Sequence, residues 1–190
     1  MTTADDSLSA RPVGNGSAAD ELVAALAAAL RQVHDLVGGM TDEQYTRKPG
    51  GALASSIGGH VRHNLDHVAA VLAGLPGGAV DYDRRERGTT VETDRGAAMA
   101  TACRLERDLG RTDWCRLPGA VRLAVLPSPD RPPVELLTTP DRELAFVLSH
   151  TIHHNALIAV IAAAVGASVP PGFGCAPATV AYLRASRCVR

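Results

Sequence analysis

The chain has 190 residues, a formal net charge of -1, and one Trp, three Tyr and two Phe. That length suits one well-cored domain and leaves little room for a second. Near-neutral charge excludes the basic footprint of a protein that binds nucleic acid or an anionic membrane.

Residues 1–16 are rich in Ser, Gly, Asp and Pro and read as a disordered lead-in to a single domain over 17–190. The opening Met1-Thr-Thr-Ala-Asp-Asp6 lacks the basic and apolar regions of a secretory signal. No segment offers about 18–20 uninterrupted apolar residues for a bilayer span. The expected location is cytoplasmic. The four cysteines form no CxxC pair, so neither a zinc ribbon nor a disulfide framework is indicated.

The first helix is predicted from Ser17, with Asp20 and Glu21 in its first turn and Leu22, Leu26, Leu30, Val33 and Val37 on one face. Gly38-Gly39 ends it, and Met40 to Gly51 reads as a connector. A second helix is predicted from Ser55 to Leu72, stopped by Gly74-Leu-Pro-Gly-Gly78. The polar loop Asp81 to Gly88 follows, and its arginines are candidates to place a cation near an anionic substrate.

The third helix is predicted from Thr89 or Thr90, burying Ala98, Ala102, Leu105 and Leu109. Val121, Leu123 and Val125 alternate before Pro127, and Val134 to Leu137 follows Pro132-Pro133, which predicts a short hairpin. Thr139-Pro140-Asp141 opens the fourth helix, which runs to Val165 at a length of about 39 Å. A helical turn or two is expected through Tyr182 to Arg184. The fold class is therefore all-α: a four-helix bundle with a β-hairpin excursion between the third and fourth helices.

Six of the seven histidines fall in two clusters. His60, His63 and His67 share one face of the second helix, and His150, His153 and His154 lie one turn apart or adjacent on the fourth. An i, i+4 imidazole pair reaches one ion from a single helix, and a third imidazole from a facing helix completes a set that leaves positions open. Nitrogen donors suit Zn, Ni, Fe or Cu. Glu-x-x-His pairs, which a di-iron centre requires, are missing from both clusters, as is His-Glu-x-x-His. Asp66 and Asn155 are candidates to orient imidazoles through their second nitrogens.

Ser56-Ile-Gly-Gly-His60-Val-Arg-His63, His150-Thr-Ile-His-His154 and Met40-Thr-Asp-Glu-Gln-Tyr45 together resemble the DinB-like (damage-inducible) family of metal-binding bundles. The resemblance covers most of residues 17–165. It implies an up-up-down-down bundle, often dimeric, holding Zn, Ni or Fe. Carried onto this chain, the ligands are His63, His150 and His154, with His60, His67 and His153 as further candidates. It further implies a metal-dependent, transferase-like enzyme using a small thiol. A structural metal in a stress-response protein and a metal-free interaction module are the alternatives.

Overall fold

The computed structural model describes residues 17–51 and 54–188, so the expected lead-in over 1–16 lies outside the described residues. Helix α1 (Ala18–Gly38) starts at a reciprocal cap. The Ser17 hydroxyl accepts from the Asp20 N–H, and the Asp20 carboxylate accepts from the Ser17 N–H. Two of the helix's orphan donors are thereby satisfied.

The stretch expected as a plain connector contains a five-residue helix, α2 (Asp42–Thr46), closed by the same kind of cap between Thr41 and Gln44. Tyr45 is fully buried there, and its hydroxyl donates to the Val91 carbonyl at 2.7 Å. Helix α3 (Ile57–Gly74) is capped by Ser56, whose hydroxyl accepts from the Gly59 N–H. A Cβ at Gly58 would collide with the Glu92 carbonyl and the Tyr45 ring. Glycine there lets the chain after α3 cross close over the helix start.

Strand β1 (Ala79–Asp81) was not legible as a strand, because three residues after Gly77-Gly78 are too few to show a period of two. A 3-10 turn occupies Thr90–Glu92, where the third long helix was expected to begin. That helix, α4 (Arg95–Arg111), starts later, where the Asp94 carboxylate accepts from the Ala97 N–H.

The expected hairpin is present as β2 (Val121–Val125) and β3 (Val134–Thr138), antiparallel with Leu123 opposite Leu136. Strand β1 extends it by pairing parallel to β2, Val80 opposite Leu123. The result is a three-stranded sheet in the order β1-β2-β3. Helix α5 (Pro140–Ala164) opens on the Thr139 cap, whose hydroxyl accepts from the Arg142 N–H. Helix α6 (Pro177–Cys188) is longer than the turn or two expected. The tail before it folds back: Phe173 is buried, and Gly174, with φ near +71°, lies against the backbone of Ala156.

Helices α1, α4, α3 and α5 pack in a ring, each against the next, and α5 closes onto α1. The consecutive long helices α1 and α3 sit on a diagonal, the order that an up-up-down-down chain with long crossovers produces. Leu26, Leu30, Val61, Val68, Leu105, Leu144 and Ile158 fill the core, each at 2% exposure or less. Burial of each such side chain contributes about 1.5–3 kcal/mol.

Helix α5 is long and apolar enough to cross a membrane, by length and composition alone. The sequence expectation counted uninterrupted apolar residues, and the histidines interrupt this helix. Here α5 packs on α1 and α3 as a core helix of the bundle.

Candidate metal centre

The facing sides of α3 and α5 bring the two histidine clusters together. One nitrogen from each of His63, His150 and His154 lies within 4.8 Å of the others. His63 Nε2 stands 2.9 Å from His150 Nε2. Two nitrogens bound at about 2.0–2.1 Å to one ion in a facial set would be separated by about 2.9 Å.

The other ring nitrogens decide which atoms remain for an ion. His154 Nδ1 meets His60 Nδ1 at 3.0 Å, which leaves His154 Nε2 as its free donor. His60 therefore touches the far side of a candidate ligand and does not join the convergent three. His67 donates or accepts at Nδ1 with the His63 carbonyl at 3.0 Å; a carbonyl can only accept, so Nδ1 carries the proton. The His67 ring is stacked between His150, 4.1 Å away, and Tyr82, 5.1 Å away. His153 is exposed and meets His154 only edge-on at 5.4 Å.

Asp66 and Asn155 make no hydrogen bond to an imidazole. The Asp66 carboxylate accepts from Arg62 at 2.8 Å, an i, i+4 pair on α3. The Asn155 carbonyl oxygen accepts from the Asn64 amide at 3.0 Å across the helix interface. Both side chains took nearer partners than the rings they were expected to orient.

Charge is set against protonation of the rings. Burial pushes His63 down to about 2, with His67, His154, Arg85 and His150 adding repulsion. It pushes His150 and His154 down to about 4, again with their neighbours' help. His60 and His67 are lowered as well, chiefly by burial. Five imidazoles are thus neutral near pH 7, the state in which a ring nitrogen can ligate.

Sequence reasoning pointed to the arginine loop without choosing a residue. The structure puts Arg85 on the cluster, its guanidinium donating to His63 Nδ1. Guanidinium has no acceptor, so His63 accepts there, and as a neutral ring it carries its proton on Nε2. Ligation through Nε2 requires that proton to move and Arg85 to release Nδ1. The donor set fits a borderline divalent ion, and the Arg85 guanidinium opposes it.

A second feature was not legible at all. Glu143 is fully buried and accepts from Tyr82 at 2.6 Å, Thr138 at 2.7 Å and Arg142 at 2.9 Å. In sequence it is an ordinary acid in the first turn of a helix. The network ties the sheet and the loop after β1 to α5 beside His67. A cavity of about 350 Å³ lies there, walled by Leu123, Val125, Leu136 and Phe146, with His67, Tyr82 and Arg142 at its polar side.

A helical bundle with three neutral imidazoles converging from two helices is a candidate mononuclear metal protein. A family model of the DinB superfamily matches residues 25–158, and the chain belongs to that superfamily. The chain is also similar to FK506-binding protein 5 of Rhizopus delemar, 30% identical over 106 residues. That match takes in 55% of this chain and 28% of the fungal protein, so the chain spans under a third of that relative. No solved structure matches the chain.

Proposed function

We propose that this chain is a metal-dependent, transferase-like enzyme that uses a small thiol, with His63, His150 and His154 as the ligands of one Zn, Ni or Fe ion. The observation that carries the reading is the convergence of these three imidazoles, all held neutral, from α3 and α5. A bound divalent ion supplies Lewis acidity, which keeps a thiol deprotonated at neutral pH. Three protein donors leave room for such a group.

The chain's own residues shape the rest of the site. His60 holds the ring of His154, and His67, stacked between His150 and Tyr82, walls the site from the neighbouring cavity. Arg85, once released from His63 Nδ1, presents a cation to an anionic group. The apolar walls of the cavity beside His67 suit the uncharged body of a second small molecule.

A cytoplasmic setting belongs to this proposal and is supported by the free cysteines Cys103, Cys115 and Cys175. So does a homodimer, supported by the resemblance and by exposed Val134, Leu136 and Leu137 on the edge strand β3. A structural metal closed by His60 is the second reading; its support is the proximity of His60 to His154, and the occupied Nδ1 atoms weigh against it.

The test is elemental analysis of protein purified without a histidine tag, beside a His150→Ala/His154→Ala variant. About one equivalent of metal per chain, lost in the variant while the helical signal persists, is the expected result and leads to screening thiol substrates. No metal after incubation with Zn, Ni and Fe(II) salts rejects the proposal.

A further inference from the structure

Immediately beneath the imidazoles lies a polar patch in an otherwise apolar interface. The buried positions of α3 are Val61, Leu65, Val68 and their neighbours, and those of α5 include Leu144, Val147 and Ile158. Asn64 (0% exposed), Thr151 (0%) and Asn155 (1%) interrupt them. Each directly follows a candidate ligand in the chain: Asn64 follows His63, Thr151 follows His150, and Asn155 follows His154. Neighbouring helical residues are turned about 100° apart, so the imidazoles and these polar side chains occupy adjoining faces of the same turns.

The Asn64 amide donates to the Asn155 carbonyl oxygen at 3.0 Å and approaches the Thr151 carbonyl at 3.5 Å. Asn64 Oδ1, Asn155 Nδ2 and Thr151 Oγ1 have no partner. A core with orphaned polar atoms is less stable than one of apolar side chains with the same shape. What such a pair contributes is selection of one alignment. Apolar side chains specify an alignment less sharply, because an apolar core that repacks loses uniqueness before it loses stability. A slide of α3 along α5 by one residue, about 1.5 Å, would break the Asn64–Asn155 hydrogen bond and leave both amides buried without partners. A single buried Asn fixes register between coiled-coil helices for this reason.

We infer that Asn64 and Asn155 form a register clamp between α3 and α5 that holds His63 opposite His150 and His154. Both are positioning residues and touch no ion. The consequence for metal binding rests on the metal reading above; the coupling between the two asparagines does not.

The test uses the whole chain and Co(II), whose visible absorption reports coordination geometry. Asn155→Leu, Asn64→Leu and the double variant are titrated against a competing chelator and melted without metal. The expected result is a 10–100-fold loss of Co(II) affinity and an altered visible band in each, the range seen when groups behind metal ligands are removed. The double variant should regain the stability that the single variants lose and should not regain affinity. A merely structural role predicts that affinity follows stability.

Asn155→Asp keeps the oxygen that accepts from Asn64 and should bind Co(II) as tightly as wild type. Unchanged affinity and band in the double variant overturn the clamp. If wild-type protein takes up no Co(II), the metal reading fails and the clamp is judged by stability alone. Non-additive effects of the two single variants then support it, and additive effects overturn it. Should the leucine variants not fold, Asn155→Ser and Asn64→Ser, which remove the amides without adding bulk, are read in the same way.

Discussion

Metal-free protein should lose stability steeply as the pH falls from 6.5 toward 4, and the candidate ligands should be the cause. His63 sits at about 2 in the folded chain, and His150 and His154 at about 4. An unfolded imidazole titrates near 6.5. Folded rings whose values lie below the unfolded one bind fewer protons than the open chain, so acid favours unfolding. Above about pH 7 both states are neutral and these rings add no pH dependence. Between the two values each ring costs about 1.4 kcal/mol per pH unit.

At pH 5 that comes to roughly 2 kcal/mol per ring. The three rings are only part-buried, and screening by water and salt cuts the figure to about 1 kcal/mol each, or about 3 kcal/mol together. That is a large share of the roughly 5–15 kcal/mol typical of a domain. The assay is urea unfolding at pH 5.0 and 7.5 in a metal chelator, on wild-type protein and on His63→Gln/His150→Gln/His154→Gln. The variant should lose most of the difference between the two pH values. Equal differences in the two proteins would refute the argument that burial keeps these rings neutral.

Three further outcomes follow from other parts of the structure. Arg85→Met removes the donor on His63 Nδ1 and should tighten Zn binding by about tenfold, the worth of one charge-assisted hydrogen bond of about 1.5 kcal/mol; competition with a fluorescent chelator measures it, and weaker binding contradicts the tautomer argument. Glu143→Ala strips the acceptor from Tyr82, Thr138 and Arg142 and should lower unfolding stability by about 2–3 kcal/mol, a loss visible in denaturant melts. Gly58→Ala drives a methyl into the Glu92 carbonyl and the Tyr45 ring and should cost about 1–3 kcal/mol; a melt indistinguishable from wild type would show that the crossing over α3 yields freely.

The sequence by itself determined that there are four long helices, because each carries a sustained apolar face, although α4 begins at its Asp94 cap and not at Thr89 or Thr90 as expected. Ser17, Ser56 and Thr139 stand where side-chain caps form, and Leu26, Leu30, Val33 and Val37 bury as their spacing requires. The hairpin was legible for a similar reason, since Val121, Leu123 and Val125 alternate over a full strand. Histidine spacing put His150 and His154 on one face, and the resemblance put His63 with them.

Only the tertiary structure decided what depends on partners distant in the chain. Strand β1 exists because β2 offers it a ladder, and three residues hold no period of their own. Glu143 is buried because Tyr82, Thr138 and Arg142 converge on it, and Asp66 turned to Arg62. Arg85 among three loop arginines, and Asn155 bonded to Asn64, are choices made by the approach of α3 to α5. Local spacing fixes which face of a helix a side chain occupies; which group it meets there is set by long-range packing, and that carries no local signature.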